Sequence, residues 1–157
     1  MSARVPKRTP PEAPEDPSLG PLESFIGFNL RLAQDASFQA FAKQSGAPHM
    51  RPGRFASLMV ISQNPGLTQA DLGRAIARDK STVTPLMQSL QRDGLIERRP
   101  SAIDRRSVTL WLTEDGERLL ASLAGHAREH DRKLDAIVGD AKPELLRLLK
   151  KIVAELS

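Results

Sequence analysis

Apolar residues recur at helical spacing along most of this chain and switch to strict alternation in one place only. From Leu22 to about Ser45 the pattern is helical, carried by Leu22, Phe25, Ile26, Leu30, Leu32 and Ala33, until Ser45-Gly46-Ala47-Pro48 breaks it. Pro52 opens a second helix with Phe55, Leu58 and Met59 on one face, and Asn64-Pro65-Gly66 ends it. Thr68 reads as the N-cap of a third helix, with Asp71 at the capping-box position and Leu72, Ala75 and Ile76 as its apolar face. After the polar break Ala77-Arg78-Asp79-Lys80, a fourth helix sets Val83, Leu86, Met87 and Leu90 toward a core, and Gly94 stands where a C-terminal glycine belongs. The period then becomes two: Leu95–Arg99 and Val108–Leu112 read as strands joined by the polar tip Ser101–Ser107. Thr113 caps a long fifth helix, and a last helix follows Pro143.

Three short helices followed by a two-stranded hairpin predict a mainly α fold with a small β-hairpin, a winged helix-turn-helix. The predicted organisation is a Pro-rich disordered tail (1–21), an N-terminal helix for dimerisation and a ligand pocket (22–50), the winged module (51–113) and C-terminal dimerisation helices (114–157). The tail holds Pro6, Pro10, Pro11, Pro14, Pro17 and Pro21 and has little apolar matter to bury. The apolar faces of 22–33 and of the two final helices exceed what one chain readily covers, so a homodimer is expected.

Composition narrows the chemistry. Among 157 residues there is no cysteine, which excludes disulfides, thiolate metal sites and thiol catalysis. No apolar run approaches a membrane span and the amino end lacks a signal-peptide-like segment, so a cytoplasmic protein without a membrane partner is expected. The net charge of +4 is mild, but Arg98, Arg99, Arg105 and Arg106 cluster within Ile96–Ser107 against only Glu97 and Asp104. No phosphate-binding glycine loop, nucleophile elbow or acid–base pair is present, which argues against an enzyme. His126 and His130 read as a solvated helical pair rather than a metal site, and no cofactor is expected.

The major groove of duplex DNA, about 12 Å wide, admits one α-helix, while a projecting hairpin reaches the neighbouring minor groove. Residues 80–92 are therefore the expected reader. Lys80, Ser81, Thr82, Thr84, Pro85 and Gln88 form its outward face, and Thr68 lies on the buttressing helix. Pro85 should kink the first turns if the helix starts at Lys80, and disturb it less if the N-cap is nearer Ser81. Arg98, Arg105 and Arg106 are the hairpin's candidate contacts, with Asp104 placed to orient a guanidinium. Winged helices also dock proteins, so an interaction module that does not read DNA is the alternative. All five phenylalanines lie between 25 and 55, and Phe25, Phe28 and Phe55, with Arg31, Lys43, His49, Arg51 and Arg54, suggest a pocket for a flat anionic effector.

Leu67-Thr68-Gln69-Ala70-Asp71-Leu72-Gly73, Asp79–Thr84, Leu90–Arg98, Asp104–Ser107 and Leu112–Gly116 together resemble the MarR family of bacterial transcriptional regulators. The resemblance implies a dimeric repressor on a pseudo-palindromic operator, released by a ligand, with Asp104 and Arg106 at the wing tip. Pro85 departs from the polar or basic residue that family carries in its reader helix. Phe25–Ala33, which adds Asn29 and Leu32 to the candidate pocket, and Arg51–Phe55 are similar to the branch that responds to hydroxycinnamoyl-CoA thioesters. That likeness implies p-coumaroyl-CoA or a related acyl-CoA as effector.

Overall fold

A computed structural model describes residues 17–101 and 107–156. The chain forms two compact units, one ending at Asp35 and the other starting at Ala36. In the first, a 3-10 turn at Gly20–Ser24 precedes helix α1 (Ile26–Ser45), which continues into the second unit. The single helix expected from Leu22 is thus interrupted. Phe25 is extended (φ −78°, ψ 119°), and the Asn29 amide ties the two pieces by donating to the carbonyls of Glu23 and Phe25, each at 3.0 Å.

The second unit contains α2 (Pro52–Gln63), α3 (Gln69–Ala75), α4 (Lys80–Arg92), β1 (Ile96–Pro100), β2 (Val108–Leu112), α5 (Glu114–Val138) and α6 (Lys142–Leu156). β1 and β2 are antiparallel, with Ile96 opposite Leu112 and Arg98 opposite Leu110. The chain before α3 adds a third short rung, because Leu110 donates to the Leu67 carbonyl and accepts from Gly66. A winged helix-turn-helix results.

Its core is assembled from every element of the module: Leu58 and Ile61 of α2, Leu72 of α3, Val83, Met87 and Leu90 of α4, Ile96 and Leu110 of the hairpin, and Leu120 and Leu123 of α5. β1 begins one residue later than the alternation predicted. Leu95 is used instead to close α4: its N–H bonds the Leu90 carbonyl while Gly94, at φ +70°, bonds Gln91. That pair of bonds is a Schellman ending, and the positive φ is why a glycine stands there. α5 starts immediately against this turn, since Thr113 N–H donates to the Leu95 carbonyl.

α6 leaves Leu145, Leu146, Leu148, Val153 and Leu156 exposed. Among the described residues, no helix is long and apolar enough to cross a membrane.

Candidate nucleic-acid interface

The two helices of the candidate reading head begin at side-chain caps. Thr68 Oγ1 accepts from the Asp71 N–H at 3.1 Å, while Asp71 accepts from the Thr68 backbone N–H at 3.2 Å and its hydroxyl at 2.6 Å. This is the capping box expected for α3. α4 is capped by Asp79, which accepts from the Thr82 N–H at 2.8 Å and the Ser81 hydroxyl at 2.6 Å. The start at Lys80 puts Pro85 in the second turn. α4 nevertheless runs continuously to Arg92, at the cost of the helical hydrogen bond that the Ser81 carbonyl would accept.

Both caps hold charge. The Thr68 hydroxyl, followed by its backbone N–H, keeps the Asp71 carboxyl below the ordinary aspartate value, and the Ser81 hydroxyl does the same for Asp79. A carboxyl depressed in the folded state contributes stability above its unfolded value, and that contribution is lost as pH falls through the folded one. The unfolding midpoint should therefore drop as pH falls below about 4. The Asp71→Asn/Asp79→Asn variant should show a flatter acid limb, and thermal melts from pH 7 to 2.5 read the difference.

α4 separates its faces as the heptad spacing requires. Val83, Met87 and Leu90 are fully buried, whereas Lys80, Ser81, Thr82, Pro85 and Gln88 are exposed. Thr84 is half-buried and faces α3. There the Gln69 amide donates to Thr84 Oγ1 at 2.8 Å, and Arg98 of β1 donates to the Gln69 carbonyl oxygen at 3.1 Å. Gln69 thus joins the third helix, the reader and the root of the wing. Arg74, Arg78, Lys80 and Arg98 lie along a groove of about 1320 Å³ beside α3 and the start of α4, bordered on another side by Val153 and Leu156 of α6. The candidates Asp104, Arg105 and Arg106 lie outside the described residues.

Gln69, Arg74 and Arg78 were not singled out by sequence. Arg74 and Arg78 could have been found from charge on the exposed face of α3 and the turn after it. Nothing local distinguishes Gln69, because its role depends on partners 15 and 29 residues away.

The candidate effector residues divide between the two units. In the first, Arg31 stacks over Phe28 at 5.2 Å and pairs with Asp35 at 2.8 Å, Asn29 caps the interrupted turn, and Phe25 and Leu32 are exposed. In the second, Lys43, His49 and Arg51 are exposed, and the Phe55 ring lies 5.7 Å from Phe41. Arg54 is engaged elsewhere. Its guanidinium donates to Ser89 at 2.6 Å and to Asp93 at 2.7 Å, fastening α2 to the end of the reader helix. His130, expected to be solvated, is instead part-buried, with Nε2 2.9 Å from the Ser37 hydroxyl and its ring edge-on to Phe41. The cause is that α5 turns this face toward Ser37 and Phe41, in the part of α1 that belongs to the same unit.

Residues 50–108 match the MarR family. The chain is 34% identical over 135 residues to the proposed transcriptional regulatory protein for the hcr operon of Thauera aromatica, covering 85% of this chain and 81% of that one. Among solved structures it is similar to the transcriptional repressor CouR bound to a 23-mer DNA duplex, with TM-score 0.74, 28% identity, and coverage of 87% of this chain and 98% of CouR. It is also similar to CouR bound to p-coumaroyl-CoA, with TM-score 0.75, 25% identity, and coverage of 87% and 97%. With the winged module built from Met50 onward and a relative of this identity matched over most of its length, the chain belongs to the MarR family.

Proposed function

We propose that this chain is a homodimeric transcriptional repressor that grips a pseudo-palindromic operator and releases it on binding a hydroxycinnamoyl-CoA thioester such as p-coumaroyl-CoA. The observation that carries the proposal is the exposed polar face of α4 on a module whose core faces inward, in a chain similar to DNA-bound CouR over 87% of its length. Small hydroxyls at Ser81 and Thr82 let the helix sit deep, and Lys80 and Gln88 offer contacts to phosphate and to a base edge. Arg106, two positions after Asp104 in the sequence, is the residue assigned to the minor groove.

Domain roles follow. Residues 51–113 read DNA, while 22–50 and 114–157 pair two chains and place the readers about one helical turn, or about 34–36 Å, apart. The effector reading is supported by the exposed Lys43, His49 and Arg51 of the second unit and by the likeness to CouR in its p-coumaroyl-CoA complex. Release needs only a coupling of about 1–3 kcal/mol between the two sites. A polyanionic thioester also opposes the phosphate backbone directly. No cofactor takes part, and the protein acts on DNA in the cytoplasm.

The test is retention of intergenic DNA by the purified protein at several salt concentrations. Arg106→Ala should weaken retention and reduce the salt slope by about one. Saturating p-coumaroyl-CoA should release the wild-type complex. An Arg106→Ala protein that binds like wild type would favour the protein-docking alternative, and a complex indifferent to the thioester would remove the effector assignment.

A further inference from the structure

The Arg98–Gln69–Thr84 chain has a fixed hydrogen-bond direction. A guanidinium only donates, so the Gln69 carbonyl oxygen must be the atom that faces Arg98 at 3.1 Å. The amide nitrogen is thereby turned to Thr84, where it donates to Oγ1 at 2.8 Å. Once Thr84 Oγ1 accepts, the hydroxyl's own proton is left to give away. Among the described residues, the one hydrogen bond at Thr84 Oγ1 is the one it accepts from Gln69, so the proton is given to no described residue. Buried or half-buried hydroxyls ordinarily spend such a proton on a backbone carbonyl of their own helix.

We propose that Gln69 is a positioning residue: by donating to one lone pair of Thr84 Oγ1 it turns the hydroxyl proton away from itself, so that Thr84 presents that proton to a hydrogen-bond acceptor on the duplex. The inference rests on the DNA-reading function proposed above. The acceptor is a major-groove oxygen or nitrogen of a base, or a phosphate oxygen. A donor such as the amino group of cytosine or adenine meets only the remaining Oγ1 lone pair and leaves the hydroxyl proton unspent. Because Arg98 belongs to β1, the root of the wing sets the chemistry of the reader helix without touching the base itself.

Two substitutions at one position separate polarity from packing. In Gln69→Glu the carboxylate accepts from both Arg98 and Thr84, which consumes the hydroxyl proton while keeping shape and the link to the wing. In Gln69→Met the relay is gone, but the hydroxyl is free to rotate and donate. The probe is the best duplex selected from a random-sequence library by the wild-type dimer. It is then rebuilt with base analogues lacking one major-groove acceptor at a time, or with single methylphosphonates, which distinguishes a base from a phosphate partner.

Wild type should lose about five- to tenfold in affinity per half-site at one such replacement. Gln69→Met should keep that position-specific loss, and Gln69→Glu and Thr84→Val should bind every probe alike at that position. Circular dichroism melts confirm that each variant is folded. The proposal is overturned if Gln69→Glu stays as sensitive as wild type, or if Thr84→Val binds the unmodified duplex as wild type does. Selection that recovers no duplex at all overturns the DNA-reading function and this inference with it.

Discussion

Replacing Gly116 by alanine is expected to destabilise the protein by about 3 kcal/mol or more, against the direction that helix propensity predicts. Gly116 lies in the first turn of α5, and a methyl group there would stand 2.1 Å from the Leu95 carbonyl oxygen and 3.0 Å from its carbon. Neither atom is free to retreat. The Leu95 carbonyl accepts from Thr113 N–H at 3.1 Å, Thr113 Oγ1 donates to the Gly94 carbonyl at 2.5 Å, and Gly116 N–H donates to Thr113 Oγ1 at 3.1 Å. Making room therefore separates α5 from the turn that ends the reader helix and opens the core at Leu120 and Leu123. A chain of this size should lose roughly 6–12 °C in unfolding midpoint. Gly125→Ala is the internal control, since nothing lies within 4 Å of a methyl group there and the same α5 should gain up to about 1 kcal/mol. Equal and opposite-to-expected shifts in the two variants, read by urea or thermal unfolding, would contradict the close approach.

Leu145→Glu/Leu148→Glu should leave the fold of the single chain intact and abolish the dimer. Both side chains are about two-fifths exposed, on a helix whose apolar face the rest of its own unit does not cover. Charged residues on that face cost little in water but prohibit burial against a second copy. Light scattering should then report the 17.2 kDa chain where wild type reports twice that mass. Operator affinity should fall at least about a hundredfold, because one reader no longer raises the effective concentration of the other. A variant that remains dimeric would show that other surfaces hold the two copies together.

What the sequence made legible was local. The Thr68–Asp71 box, the glycine ending of α4, the Thr113 cap and the buried row Val83, Met87 and Leu90 each depend on residues within one or two turns, so spacing alone identifies them. The interruption at Phe25 was hidden, because Leu22, Phe25 and Ile26 keep helical spacing while Asn29 supplies the bonds that end one piece and begin the next. The role of Gln69 and the commitment of Arg54 to Ser89 and Asp93 are tertiary. Each joins elements 15 to 39 residues apart, where composition and periodicity say nothing. Arg54 illustrates the limit well: as a basic residue beside Phe55 it looks available to an anion, yet its side chain is only 16% exposed and its guanidinium already paired. His130 went the same way, since a helical surface seen in one dimension does not reveal that Ser37 and Phe41 pack on it.

The most direct test of the whole account is a hydroxyl-radical footprint of the purified protein on the duplex it selects. Two copies of α4 reading one operator predict two protected patches related by a two-fold axis, their centres about one helical turn apart on the same face of the DNA. A single patch, protection without symmetry, or no duplex retained even at low salt would contradict it.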